Sequence, residues 1–308
     1  MINLTEWQIF EPDEIDFSTV KNVYENAYIG TELALDDRVE WIEKYAEKIA
    51  INNHNVEYYN ENAELIINSK RYSVNHLNTI SASEKRVFFD ATSLKFPELL
   101  YCMLWANQTG RDFDVMYVEP DGYSAKNYKP KIGSHNPDFT LSEDGPGLQM
   151  LPKYVVPLDG SHLAVALGYE NHRFGALLVS DEINPKKITG IFGVPPFVLG
   201  WEKNSYSKNH SLMGSARKDQ NADFKIIAAN DPLQNYQLIK LLFDAQITTN
   251  RAHRKIHLAP IGTKPVALSM AWFAINNRGT GILYDFIKKI PKRTEGVGKV
   301  HHWRFSVN

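Results

Sequence analysis

From Lys85 to about residue 286, short apolar runs alternate with helix-length segments, and this alternation restricts the fold more than any other feature of the chain. Strand candidates are RVFFDA (86–91), FDVMYV (113–118), LAVALG (163–168), ITGIFG (188–193), FKIIAA (224–229), IHLAPI (256–261) and GILYDF (281–286). Several are apolar without a break, as strands are when both faces of a parallel sheet are covered. Helix candidates lie among them at 96–107, 171–179, 232–247 and 265–276, with a weaker one near 202–214. Asp231-Pro232 and Thr263-Lys264-Pro265 each set a capping side chain before a proline in the first turn. Repeated units of this kind point to an α/β, Rossmann-like, doubly wound and mostly parallel sheet.

The first 84 residues read differently. Leu35, Val39, Ile42, Ala46 and Ile49 recur at helical spacing, so 35–50 is expected to be an amphipathic helix. VEYY (56–59) and ELIINSKRYSV (64–74) resemble a hairpin with Asn60–Ala63 as its turn. The expected organisation is a small N-terminal α+β cap or interaction module over 1–84 and a Rossmann-like domain over 85–308. Residues 120–161, rich in Gly, Pro, Asp, Asn and Tyr, form a long loop inserted in that domain, a lid, a binding loop or a surface excursion.

Composition removes several function classes. No apolar run approaches the ~20 residues that cross a bilayer, and the start, MINLTEWQIFEPDE, is acidic where a signal peptide would be basic, so a cytoplasmic protein without membrane partners is expected. The single cysteine, Cys102, excludes internal disulfides and multi-cysteine metal sites, and its apolar neighbours make it a buried small side chain. Residues 1–47 carry twelve acids against Lys21, Arg38 and Lys44, whereas 285–308 carries Lys288, Lys289, Lys292, Arg293, Lys299 and Arg304 against Asp285 and Glu295. Ends of opposite charge can serve self-association, a protein partner or, at the basic tail, a nucleic acid; a solvated surface is the plainer meaning.

Ligands of a doubly wound sheet bind outside the carboxyl ends of its strands, which makes the polar residues there the candidates. These are Asp90, Thr92 and Ser93, then Glu119, Gly168 and Glu170, Asn230 and Asp231, and the turn Gly262-Thr263-Lys264. The last places a glycine, a hydroxyl, an ammonium and the unpaired first-turn amides of a helix at one point, a combination suited to a phosphate. Lys264 opposes the helix dipole, and a bound anion would relieve that conflict. Each candidate has a structural alternative, as a cap or a strand end. Pro195-Pro196, Trp201, Glu202, Asn204 and Tyr206 form a second unusual place, where an aromatic beside a carboxylate and an amide could meet a base, or a Trp could pack beneath a loop.

Catalytic spacings are largely missing. Neither GxxxxGK[ST] nor GxGxxG follows a strand, which disfavours ATP hydrolysis and dinucleotide chemistry. HExxH, GxSxG and CxxC are also lacking, and no cofactor is indicated. Convergence of Asp90, Glu119, Glu170 and Lys264 at one sheet edge would suit a metal-dependent phosphodiesterase or nuclease.

IHLAPIGTKPVALSMA and VFFDATSL resemble, respectively, the strand-turn-helix and the first strand with its polar turn in CARF-type Rossmannoid sensors of prokaryotic antiviral systems. The two motifs cover about thirty residues. YVEPDGY and VPPFVLGWEKN are also similar to bacterial proteins of defence loci. The resemblance implies a cyclic oligonucleotide messenger held across a homodimer, with Asp90, Thr92, Gly262, Thr263 and Lys264 as the positions that carry over. This chain departs from that pattern where Ile261-Gly262 replaces the doubled glycine of the family's turn, and it shows no appended nuclease motif. Three readings follow: a defence component that binds a nucleotide-like or phosphate-bearing ligand and signals to a partner, a phosphodiesterase, and a structural subunit of a larger assembly.

Overall fold

The uninterrupted apolar runs become interior parallel strands, but of two sheets instead of one. The computed structural model describes residues 1–17, 20, 23–31, 37–123, 141–158, 160–179, 185–197, 200–219, 221–246 and 254–308. It divides into two compact units, the first comprising Met1–Leu141 and Lys289–Asn308, the second Ser142–Lys288. Among the described residues no helix is long and apolar enough to cross a membrane.

In the first unit, four strands run parallel at the centre of an eight-stranded sheet: β2 (Tyr24–Gly30), β3 (Ala50–Tyr59), β6 (Arg86–Asp90) and β7 (Asp112–Val118), in the order β3-β2-β6-β7. Helix α1 (Val39–Ile49) links β2 to β3, and α2 (Phe96–Gln108) links β6 to β7. Consecutive residues of β6 report that the two helices cover opposite faces. Phe88 packs on Tyr45 of α1, whereas Phe89 packs on Trp105 of α2. The chain therefore winds outward in both directions from the β2/β6 pair.

Antiparallel strands extend both flanks. On one side β4 (Glu64–Ile67) and β5 (Lys70–Ser73) continue from β3. The stretch 64–74, expected as a single strand, is broken because Asn68 and Ser69 take φ of 47° and 67°, the left-handed pair of a two-residue hairpin turn. On the other side β16 (Val300–Val307) and β1 (Ile2–Phe10) continue from β7. The opposite charges of the chain ends meet here: Arg304 lies 2.7 Å from Glu6 and Lys299 3.6 Å from Glu11.

These pairings overturn three expectations. Residues 1–84 are not a separate cap, because β2 pairs with β3 on one edge and with β6 on the other. The basic C-terminal end is not a tail, because 300–307 is an interior strand whose Arg304 also reaches the buried Asp114. The 120–161 stretch is not a continuous loop. Gly122–Tyr123 forms a short ladder with Thr294–Glu295, and Ser142–Met150 is a strand, β9; residues 124–140 lie outside the described set.

The second unit comes closest to the expected fold. Strands β10 (His162–Leu167), β11 (Lys187–Gly193), β12 (Ala222–Ile227), β13 (Ile256–Ala259) and β14 (Thr280–Lys289) are parallel, in the order β12-β11-β10-β13-β14, with β9 at the far edge. The connections are α3 (Asn171–Leu178), α4 (Trp201–Asp219), α5 (Pro232–Asp244) and α6 (Lys264–Asn276). Renumbered by their succession, the strands lie 3-2-1-4-5, the doubly wound order, with its switch at β10/β13. Helix α6 buries every residue from Pro265 to Ala274, as a helix apolar on all sides must. The molecule is thus mixed α/β, with one largely parallel sheet and one whose parallel centre has antiparallel wings.

Candidate functional site

At the β10/β13 switch two chain segments leave neighbouring strands toward opposite faces, which opens a crevice at their carboxyl ends. Gly168 follows β10 and Gly262 follows β13, one on either side of this switch. A Cβ on Gly168 would sit 2.9 Å from the Ile261 carbonyl oxygen, and one on Gly262 would sit 3.0 Å from the Ala166 Cβ, so the two turns approach as closely as glycine allows. Thr263 occupies the N-cap of α6 but does not cap it: its hydroxyl donates to the Ala229 carbonyl at 2.9 Å. The first-turn amides therefore receive nothing from the side chain placed to take them, and Lys264 is the first residue of that helix.

The crevice is held by residues that sequence reasoning missed. Arg173, from α3, donates through Nε to Asp285 at 2.7 Å and through a terminal nitrogen to the Ile261 carbonyl at 3.2 Å. The pair is nearly buried, so a hydrogen-bonded charge fixes the turn that precedes Gly262. Ser205 and Asn209, one turn apart on α4, both donate to the Gly168 carbonyl. The i, i+4 spacing of Ser205 and Asn209 was visible, but nothing local marked Gly168 as their partner. Glu170 accepts from Ser142 at 2.7 Å, and Asp231 caps α5 through the Gln234 amide. Tyr206, half exposed, rests against Phe192 and His210, while Glu202 accepts from the Gly200 amide. The side chain of Asn204 lies outside the described set.

The remaining candidates belong to the first unit. Its switch lies between β2 and β6, and the protein's own groups fill it. The fully buried Asp90 carboxylate accepts from the Thr92 amide (2.9 Å), the Ser93 amide (3.1 Å) and the Ser93 hydroxyl (2.6 Å). The Thr92 hydroxyl accepts from the Val118 amide, and Ser93 Oγ accepts from the Gly30 amide. Glu119, just past β7, meets the fully buried His301 at 2.5 Å, and Trp7 donates to the other ring nitrogen of that histidine at 3.4 Å.

Asp90, Thr92 and Glu119 thus lie in one unit, and Gly168, Glu170, Gly262, Thr263 and Lys264 in the other. The expected gathering of Asp90, Glu119, Glu170 and Lys264 at the edge of one sheet does not occur, because their strands belong to two sheets. Among the described residues no three His, Cys, Asp or Glu side chains are grouped to hold a metal ion. Cys102 is fully buried, and burial raises its thiol far above the ordinary range, in keeping with a packing role.

Each unit also buries a polar network away from these edges. In the first, Asp114 accepts from Tyr24 (2.5 Å) and Arg86 (2.5 Å) and faces His302 (3.2 Å) and Arg304 (3.3 Å). Burial opposes its charge, but the bonds from His302 and Tyr24 and the nearby cations prevail and hold it at about 2. In the second, His162 Nε2 donates to the Thr189 oxygen (2.8 Å), whose hydroxyl donates to Asp223 (2.6 Å). Burial lowers His162 to about 4 and also lowers His257, which bridges Ser161 and the Val156 carbonyl.

No family model matches the chain, and no curated protein matches it in sequence. Among solved structures, one similar chain is a type III CRISPR defence DNA nuclease activated by cyclic oligoadenylate; the match has 9% identity, covers 88% of this chain and 68% of that one, and has a TM-score of 0.44.

Proposed function

We propose that the protein binds a nucleotide-like or other phosphate-bearing ligand at the β10/β13 crevice of the second unit and passes the bound state to a partner, as a component of an antiviral defence system. One observation carries this reading: the Gly262-Thr263-Lys264 turn lies at the switch of a 3-2-1-4-5 sheet, and its helix begins without a side-chain cap. Anion, first-turn amides and lysine would then satisfy one another. Gly168, beside it, lets the two turns come together. The defence context rests on the resemblance of IHLAPIGTKPVALSMA to messenger-sensing turns.

The test compares wild type with Lys264→Ala. Native mass spectrometry of protein purified from its host reads retained ligand and oligomeric state, and titration calorimetry with that ligand reads affinity. Loss of one phosphate contact is expected to weaken binding about tenfold, or about 1.4 kcal/mol. Unchanged retention and affinity in the variant would remove the reading and leave the turn as a helix start alone.

A further inference from the structure

A cavity of about 630 Å³ opens in the first unit and belongs to none of the sites above. Tyr28, Ile67 and Ile80, all buried, are among its lining residues, together with Asn26, His54, Tyr72, Asn68 and Lys70. Tyr28 also packs on Trp105 of α2, so the cavity lies on the α2 face of the sheet, next to the β4–β5 hairpin. Its volume suits a ligand of one or two rings.

The hydrogen bonds around His54 have a single consistent direction, fixed at one end by the backbone. The Asn55 amide donates to Asn68 Oδ1 at 2.9 Å, which turns the Asn68 amino group toward His54 Nδ1, 2.7 Å away. Nδ1 therefore accepts, Nε2 carries the proton, and it donates to Asn26 Oδ1 at 2.6 Å. The chain of donors ends on the Asn26 amino group, which has no partner among the described residues. His54 is also stacked on Tyr28, with centroids 5.0 Å apart, and burial lowers its basicity, so the relay stays neutral. Lys70 is the only cation of the lining; it sits 5.1 Å from the Tyr72 ring centroid and makes no ion pair among the described residues. No carboxylate lines the cavity, but two stand just outside it: Glu84, which acts on both Tyr28 and His54 and more strongly on Tyr28 than the opposing Arg111, and Glu25, which accepts from the lining Ser83 at 3.0 Å.

We infer that this cavity binds a small aromatic anion, its ring against Tyr72, Ile67 and Ile80 and its acidic group between the Asn26 amino group and the Lys70 ammonium. A neutral donor relay ending beside one cation recognises an anionic acceptor. Aromatic and aliphatic walls recognise the ring. A carboxylate and a phosphate share this chemistry, and the probes separate them.

The experiment uses the full chain carrying Lys264→Ala, which weakens binding at the other unit so that the cavity variants below report the first unit, and follows 4-hydroxybenzoate and adenosine 5′-monophosphate by ligand-observed NMR and calorimetry. At least one probe is expected to bind with a Kd of about 1 mM or tighter. Lys70→Glu, on an exposed hairpin, should weaken it at least tenfold, and so should the isosteric Asn26→Asp, which replaces the donor with a like charge. A preference for one probe identifies the acidic group. Binding of neither probe, or equal binding in Lys70→Glu and the parent, overturns the inference. Neither result bears on the crevice at Lys264, which is tested by its own variant.

Discussion

The two switch points have the same winding and opposite chemistry. At β2/β6 the protein satisfies itself: Asp90 takes three donors from its own turn, Ser93 takes the Gly30 amide, and Thr92 takes the Val118 amide. At β10/β13 the residue placed to cap α6 turns away to Ala229, and a lysine opens the helix. Topology provides a crevice in both places. Local hydrogen bonding fills the first of them, and a polar residue at a strand end that its neighbours already saturate is no site.

That contrast can be broken in graded steps. Asp90→Ala should have the largest effect, because it leaves two buried amides and a hydroxyl without an acceptor; a loss of about 4 kcal/mol in denaturant unfolding is expected. Ligand affinity at the second unit should be unchanged. If affinity fell with stability, Asp90 would have a part in binding that its saturated carboxylate denies.

Acid should separate the units next. His162 is a base whose folded value, about 4, lies below the ordinary 6.5, so between these values the unfolded chain binds more protons. Its contribution, on the order of 3 kcal/mol, is complete above pH 6.5 and is lost as pH falls toward 4. Asp114, lowered from 3.8 to about 2, contributes fully above pH 3.8 and loses its part only below that. Hydrogen exchange at pH 7 and pH 4.5 should show the second unit, where His162 and His257 are lowered, losing more protection than the first, where His54 is lowered. Equal loss in both would show that these buried networks do not set acid stability.

Glycine substitutions sharpen the same contrast. A Cβ at Gly30 would lie 2.4 Å from the Ser93 carbonyl oxygen, a backbone atom that cannot yield, and Gly30→Ala should cost about 3 kcal/mol of stability. At Gly262 the contact is 3.0 Å to a side-chain methyl, so Gly262→Ala should cost about 1 kcal/mol. A further effect is expected on affinity, since the methyl pushes the turn away from Ala166. Smallest of all, Lys264→Ala should change stability by only a few tenths of a kcal/mol, measured by thermal unfolding, while weakening ligand binding.

Much of this was legible in the sequence because it is local. IHLAPI followed by a capping residue and proline can only be a short buried strand running into a helix, and the structure has Ile256–Ala259 and Lys264–Asn276 there. The strands at 86–90, 112–118, 162–167 and 187–193 were equally plain. The amphipathic helix expected at 35–50 is present as Val39–Ile49; residues 35 and 36 lie outside the described set. Strands Ile2–Phe10, Tyr24–Gly30, Ser142–Met150 and Val300–Val307 escaped notice because each mixes polar and apolar residues, as sheet wings and edges do, and as the central Tyr24–Gly30 does through Glu25 and Asn26.

The sequence by itself determined most helices and the apolar strands, the α/β class and the buried cysteine, since periodicity, caps and turns depend on neighbours a few residues away. Only the tertiary structure decided that Ile2 lies opposite Val307, that Arg173 holds the Ile261 carbonyl, and that Asp90 and Lys264 serve different sheets. Strand order and hydrogen-bond partners are contacts between residues distant in the chain, and they are settled by which apolar faces and unpaired backbone groups bury one another best.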